Sequence, residues 1–202
     1  MKHKNTMEAI HLIVNTFFAG FKALVGKPVL TEKPGKIVVQ IPYFLPSSAT
    51  TPDFNKLAVA VSHSGMSGYA TNASQVEVKL IRLRYPYSDN VILSQYLATN
   101  AGKYNFLRMK KMLFDKIHCE ISPNSTSLPS HLSGVKMELA GRLTTQRSIP
   151  RKTVANVHKG SLQASSHGQG GKAKFSNPNA LKTNNLSQYV SKNRLGAYTM
   201  KV

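Results

Sequence analysis

Apolar residues recur at helical spacing between Glu8 and Leu24, where Ile10, Ile13, Val14, Phe17, Phe18 and Phe21 share a face, so an amphipathic helix is predicted there. It should stop near Gly26 and Pro28. Val29-Leu30, a turn at Lys33-Pro34-Gly35 and the run Lys36 to Ile41 then read as strand, turn, strand. Pro42, Pro46, Ser47, Ser48 and Pro52 mark a loop, Leu57 to Val61 fits either regular period, and Ser62 to Ser74 is small and polar like a loop. Val76 to Arg84 alternates as a half-buried strand and is ended by Pro86.

The second half begins with helices. Ser88 or Asp89 caps one that runs to about Thr99, with Ile92, Leu93, Tyr96 and Leu97 inward and Gly102 as its stop. Asn105 opens another, to about Ile117, on which Phe106, Met109, Leu113 and Ile117 form the apolar stripe while Arg108, Lys111 and Asp115 line a different face. Ile121 to Ser133 is a Ser/Pro-rich connection, Val135 to Ala140 alternates as a strand, and Leu195 to Val202 closes the chain as a last one. Between them, Thr144 to Asn185 is polar, rich in Gly, Ser and Asn, and has little to bury, so it should be irregular and order only on a partner.

Charge identifies that partner. The chain carries +19 over 202 residues, and after Glu138 there is no acidic residue at all, while Arg142, Arg147, Arg151, Lys152, Lys159, Lys172, Lys174, Lys182, Lys192, Arg194 and Lys201 follow. Uncompensated like charges repel, so a purely cationic final third expects a polyanion, and nucleic acid is the commonest. Hydrophobic content of 41% supports a core that some segments do not join. The absence of Trp argues against base stacking as the main binding mode. One cysteine, Cys119, excludes an internal disulfide and any multi-cysteine zinc site. The longest apolar candidate, Ile10 to Val25, is interrupted by His11, Asn15, Thr16, Gly20 and Lys22, so no membrane span and a soluble protein are expected, with no address in its first residues.

Catalysis has little to work with. The eight acids (Glu8, Glu32, Asp53, Glu77, Asp89, Asp115, Glu120 and Glu138) never cluster, whereas a two-metal nuclease needs convergent carboxylates and a glycosidase a pair. The seven histidines are scattered without ligand spacing, and no phosphate-binding glycine fingerprint is present. The expectation is a protein with no enzymatic activity, no metal and no cofactor. His63-Ser64-Gly65-Met66-Ser67-Gly68 contains the Gly-x-x-Gly with which a KH module clamps a nucleic-acid backbone. A helix should follow the second glycine and Tyr69 to Gln75 supplies none, so a chance loop is the better reading of those six residues. The helices and the Lys36–Ile41 strand still match a KH-like inventory.

Gly134-Val135-Lys136 with Ala140-Gly141-Arg142-Leu143 resembles the C-terminal domain signature of the universal small-subunit ribosomal protein S-three family. Leu143-Thr144-Thr145-Gln146-Arg147 through Pro150-Arg151-Lys152-Thr153 is similar to its divergent fungal mitochondrial branch. Val76 to Leu97 and Leu195 to Val202 resemble, in order, the passage between that family's two domains and its closing strand. The resemblance implies an α/β protein: a KH-like (type II) N-terminal domain over 1–86 and a small α/β C-terminal domain with a mixed sheet over 87–202, including a long irregular basic segment at 144–185. It further implies a structural constituent of the mitochondrial ribosome, in the head of the small subunit where mRNA enters. Implied partners are small-subunit rRNA, mRNA and neighbouring ribosomal proteins, with no membrane and no homo-oligomer. In the family a basic helix face beginning Phe-Arg-Arg helps open structured mRNA; Phe106 and Arg108 match it, Lys111 matches a following Lys, and Leu107 replaces the first Arg. Arg108 and Lys111 are therefore the expected mRNA contacts. Arg142, Arg147, Arg151, Lys152, Lys159, Lys172, Lys174, Lys182, Lys192 and Arg194 are the expected rRNA contacts. Two rivals share the charge: a free RNA chaperone or intron-splicing cofactor, and a nuclease, whose acidic pair the chain lacks.

Overall fold

The computed structural model of the chain describes residues 2–34, 36–46, 52–65, 75–117, 132, 134–146, 148, 151–160 and 185–202. It is a mixed α/β protein with two four-stranded sheets, and it divides into two compact units, Met1–Leu93 and Ser94–Val202.

The first unit runs α1 (Lys2–Ala19), β1 (Leu24–Val25), β2 (Val29–Lys33), β3 (Lys36–Phe44), α2 (Phe54–Gly65) and β4 (Gln75–Leu83). The apolar stripe of α1 forms as the spacing requires: Ile10, Val14 and Phe18 are buried with Val39, Ile41, Tyr43 and Leu57 in one core. Phe18 stacks on Tyr43 with ring centroids 5.0 Å apart, and Phe17 meets Phe18 edge-on at 5.3 Å. Burying a side chain of that size contributes roughly 2–3 kcal/mol.

The helix ends earlier than Gly26. Ala23 N–H donates to the Phe18 carbonyl and Lys22 N–H to that of Ala19, and Lys22 has φ 55°. That is a Schellman cap with a lysine where glycine is usual. It frees Leu24 and Val25 to pair with Phe44 and Tyr43.

β3 also runs beyond its expected end, through Pro42. The Pro42 carbonyl accepts from Gly26 N–H at 2.8 Å, so the missing donor of Pro42 faces the gap between β2 and β1 and spares the ladder with β4. The undecided run at Leu57 to Val61 is part of α2, which extends to Gly65 and so replaces the expected loop at its first four residues. Asp53 starts this helix by accepting from Asn55 N–H at 3.1 Å, and Leu57 anchors it in the core. The remainder of that loop, including Gly68, lies outside the described residues. β4 lies parallel to β3 over the full register Lys36↔Gln75 to Phe44↔Leu83, with the α2 segment as its crossover.

A 3₁₀ turn (Pro86–Ser88) leads into α3 (Asn90–Asn100), and Asp89 caps that helix by accepting from Ile92 N–H at 2.9 Å. The second unit continues with α4 (Phe106–Phe114), β5 (Gly134–Ala140), β6 (Val154–Gly160), β7 (Gln188–Asn193) and β8 (Gly196–Lys201). Its sheet has the order β6-β5-β8-β7 and is antiparallel throughout. This corrects the mixed sheet expected here; the mixed sheet belongs to the first unit. The reason lies in the connectivity of the described elements: α3 and α4 both precede the four strands, so among the described residues no helix carries the chain from one strand of this sheet to a parallel neighbour. One face of the sheet buries Val135, Met137, Leu139, Tyr198 and Met200, and the inward residues of α4 (Phe106, Met109, Leu113) are buried with Ile117 and Leu143. Tyr198 Oη donates to the Ala98 carbonyl at 3.0 Å, and Ser94 and Ser187 share a buried hydrogen bond of 3.0 Å.

The basic stretch from 144 to 185 is not irregular throughout. Val154–Gly160 is a seven-residue strand paired with all of β5. Val154, Asn156 and His158 are exposed while Ala155, Val157 and Lys159 are half-buried, an alternation hidden by its polar residues. Cys119 and the connection Ile121 to Ser133, apart from Leu132, lie outside the described residues.

Candidate nucleic-acid interface

The registers of the second sheet gather its cations. β5 ends at Ala140, opposite the first residue of β6, Val154, and opposite Thr199 of β8. The β7–β8 hairpin turns at the same end, with Asn193 paired to Gly196. Arg142 leaves β5 there, Arg151 and Lys152 enter β6 there, and Lys192 and Arg194 lie at the hairpin. All five are exposed. Three peptide segments distant in sequence thus bring five positive charges to one end of one sheet.

The backbone at this end is held tightly. Gly141 N–H donates to the Thr153 carbonyl at 2.7 Å, and Asn193 Nδ2 donates to the Arg142 carbonyl at 2.8 Å. Gly141 has φ +117°, and a Cβ there would lie 2.7 Å from Tyr198 Cβ and 2.9 Å from the Ala197 carbonyl oxygen. Only glycine fits both the dihedral and the space. The hairpin tip is set by Asn193, whose Oδ1 accepts from Leu195 N–H at 2.9 Å.

The N-terminal end of α4 comes to the same place. Thr145 Oγ1 donates to the Tyr104 carbonyl at 3.2 Å, three residues after Arg142. The Arg108 guanidinium lies over the Tyr104 ring, 4.7 Å from its centroid. Asn105 caps the helix by accepting from Arg108 N–H at 2.8 Å. Arg108 and Lys111 are exposed one turn apart, and Leu107 between them and Phe106 is 70% exposed. At the other end, Lys159 Nζ of β6 donates to the carbonyls of Phe114 and Ile117. An ammonium on the last carbonyls of a helix offsets its dipole and satisfies groups the helix itself leaves unpaired. These bonds lay α4 along the sheet, with Arg108 toward the cationic end and Lys159 away from it.

The one carboxylate on the four strands does not neutralise this end. Glu138 accepts from Lys201 at 3.0 Å and stands 3.7 Å from Lys136. The hydrogen bond from Lys201, with the charges of both lysines, holds its carboxyl below the ordinary value of 4.5. The arrangement suits an extended polyanion: rigidly based arginines and lysines, exposed, with no acid among them.

Of the expected contacts, Arg142, Arg151, Lys152, Lys192 and Arg194 come together, and Arg108 with Lys111 lines the adjoining helix. Lys159 stands apart, engaged with α4. Arg147, Lys172, Lys174 and Lys182 lie outside the described residues. As contributors to this site, Tyr104, Thr145 and Asn193 were not singled out by the sequence. A tyrosine just before a cap residue, and Asn-x-x-Gly between two short polar runs, were the available signals for two of them. Among the described residues no group of three His, Cys, Asp or Glu could hold a metal ion, and no helix is long and apolar enough to cross a membrane.

Residues 23–202 match the family model described as mitochondrial ribosomal protein (VAR1). The chain is also 33% identical over 184 residues to the small ribosomal subunit protein uS3m of Mycosarcoma maydis. That match covers 88% of this chain and 66% of the relative, just short of two thirds of its length.

Proposed function

The chain belongs to the mitochondrial ribosomal protein (VAR1) family, in keeping with its resemblance to fungal mitochondrial S-three proteins, and from that premise we propose that it is a structural, non-enzymatic constituent of the small subunit of the mitochondrial ribosome. It docks on small-subunit rRNA through phosphate contacts from Arg142, Arg151, Lys152, Lys192 and Arg194, and sits among neighbouring ribosomal proteins. The observation that carries this reading is the convergence of those five exposed cations on one end of the second sheet. Each phosphate they neutralise contributes roughly 0.7–0.9 to the slope of log affinity against log salt. Arg108 and Lys111, on the helix whose N-terminal end adjoins that cationic end, face incoming mRNA. Arg147, Lys172, Lys174 and Lys182 extend the rRNA contact.

We read the first unit as KH-like of type II. In support, β2 and β3 form an antiparallel pair, and α2 carries the chain to β4 lying parallel on the far side of β3.

The test is sedimentation of mitochondrial lysate on a sucrose gradient, probing each fraction for this protein and for small-subunit rRNA. Quantitative co-migration that survives a high-salt wash is the expected result. A peak at the top of the gradient, or one stripped off by salt, contradicts the reading and favours a free RNA chaperone or splicing cofactor.

A further inference from the structure

The first unit carries a partly exposed aromatic stack outside its core cluster. Tyr85 and Tyr87 flank Pro86 just past the end of β4, with ring centroids 5.1 Å apart and planes within 8° of parallel. The Arg84 guanidinium lies over the Tyr85 ring, 5.3 Å from its centroid. Tyr85 is 42% exposed, Arg84 and Arg82 are exposed, and Tyr87 is half-buried. Pro86 opens the 3₁₀ turn, and its fixed φ limits the ways its two neighbours can point. Two parallel rings and a planar cation are therefore held together before any ligand arrives. Leaving the exposed part of the Tyr85 ring in water is unfavourable, and among the described residues neither tyrosine belongs to the core cluster of the first unit.

The geometry points to a stacking site for an unpaired nucleobase of RNA at Arg84, Tyr85 and Tyr87. A base supplies a flat π-face that extends the stack, and Arg82 and Arg84 supply charge for its phosphates. Absence of Trp and a low aromatic count rule out a long platform, yet a platform for one base needs only these three side chains. The inference rests on the reading above that the chain binds RNA, and deepens it by adding a contact that sees bases as well as phosphates.

The test is fluorescence anisotropy of the full chain against a single-stranded RNA of about twelve nucleotides and against its abasic counterpart at the same salt. Stacking on alanine-removable aromatics amounts to about fivefold or more in affinity, so the native chain should prefer the base-bearing strand by at least that factor. Tyr85→Leu with Tyr87→Leu should abolish the preference while abasic binding stays unchanged. Tyr85→Phe with Tyr87→Phe should retain it. Equal affinity of the native chain for both strands overturns the stacking site but leaves phosphate binding standing, as does a preference that survives the leucine pair. Failure of the native chain to bind either strand overturns the RNA-binding reading and this inference together.

Discussion

The ammonium of Lys159 donates a 2.8 Å hydrogen bond to the carbonyl of Ile117, just beyond α4, and a second bond to Phe114. A strand residue thereby fixes the end of the helix that presents Arg108 and Lys111. Charge-assisted bonds to orphan helix carbonyls contribute on the order of 1–2 kcal/mol. Lys159→Met should lower the unfolding free energy, read by chemical denaturation, by that amount while leaving the salt slope of RNA binding unchanged. A slope reduced by roughly 0.7–0.9 would instead make Lys159 a phosphate ligand.

Gly141 and Gly196 both have positive φ, yet they should respond differently to alanine. At Gly196 a Cβ meets nothing within 4 Å, so only backbone strain is added, about 1 kcal/mol. At Gly141 the Cβ meets Tyr198 backbone and Cβ at 2.7–2.8 Å as well. Gly141→Ala should cost about 2–4 kcal/mol, read by thermal or denaturant unfolding, and should weaken RNA binding because Arg142 is carried on the displaced backbone. Equal costs at the two positions would refute the close approach.

Glu138 gives a pH signature. Its carboxyl is held low by the hydrogen bond from Lys201 and by the charges of Lys201 and Lys136, so its contribution to stability is present above pH 4.5 and is lost as pH falls below that value through the folded-state pKa. Glu138→Gln should flatten this part of the acid limb of a stability–pH curve. An unchanged acid limb would mean the lysine pair does not hold the carboxylate in solution.

Arg108→Ala with Lys111→Ala removes two exposed cations and no core contact. Subunit assembly should be unaffected, and translation of messages with stable secondary structure should slow relative to unstructured ones. Equal slowing on both would remove the helix face from any role in opening mRNA.

Much of the fold was legible because burial leaves a periodic trace. The α1 stripe, the Asn105 cap and the alternation of β5 each had a single local solution, while sequence left Ser88 and Asp89 both open as caps and the structure places the bond on Asp89. Other elements depend on partners far along the chain. Strand β6 reads as polar because Asn156, His158 and Lys159 interrupt it, and only its pairing with β5 makes it a strand. The extension of β3 through Pro42 depends on Gly26, sixteen positions earlier, and the helical character of Ser62 to Gly65 on a helix already begun at Asp53. The site was half legible. Sequence names the cations, but only the strand registers reveal that Arg142, Lys152 and Arg194 share an end while Lys159 belongs to α4.

The most direct test is ultraviolet cross-linking of RNA to protein in the purified small subunit of the mitochondrial ribosome, with the cross-linked peptides sequenced. Cross-links to rRNA should fall at residues 142, 151–152 and 192–195, the three segments at one end of the second sheet. Peptides cross-linked elsewhere in the chain, with those three segments free of RNA, would contradict the docking surface proposed for this protein.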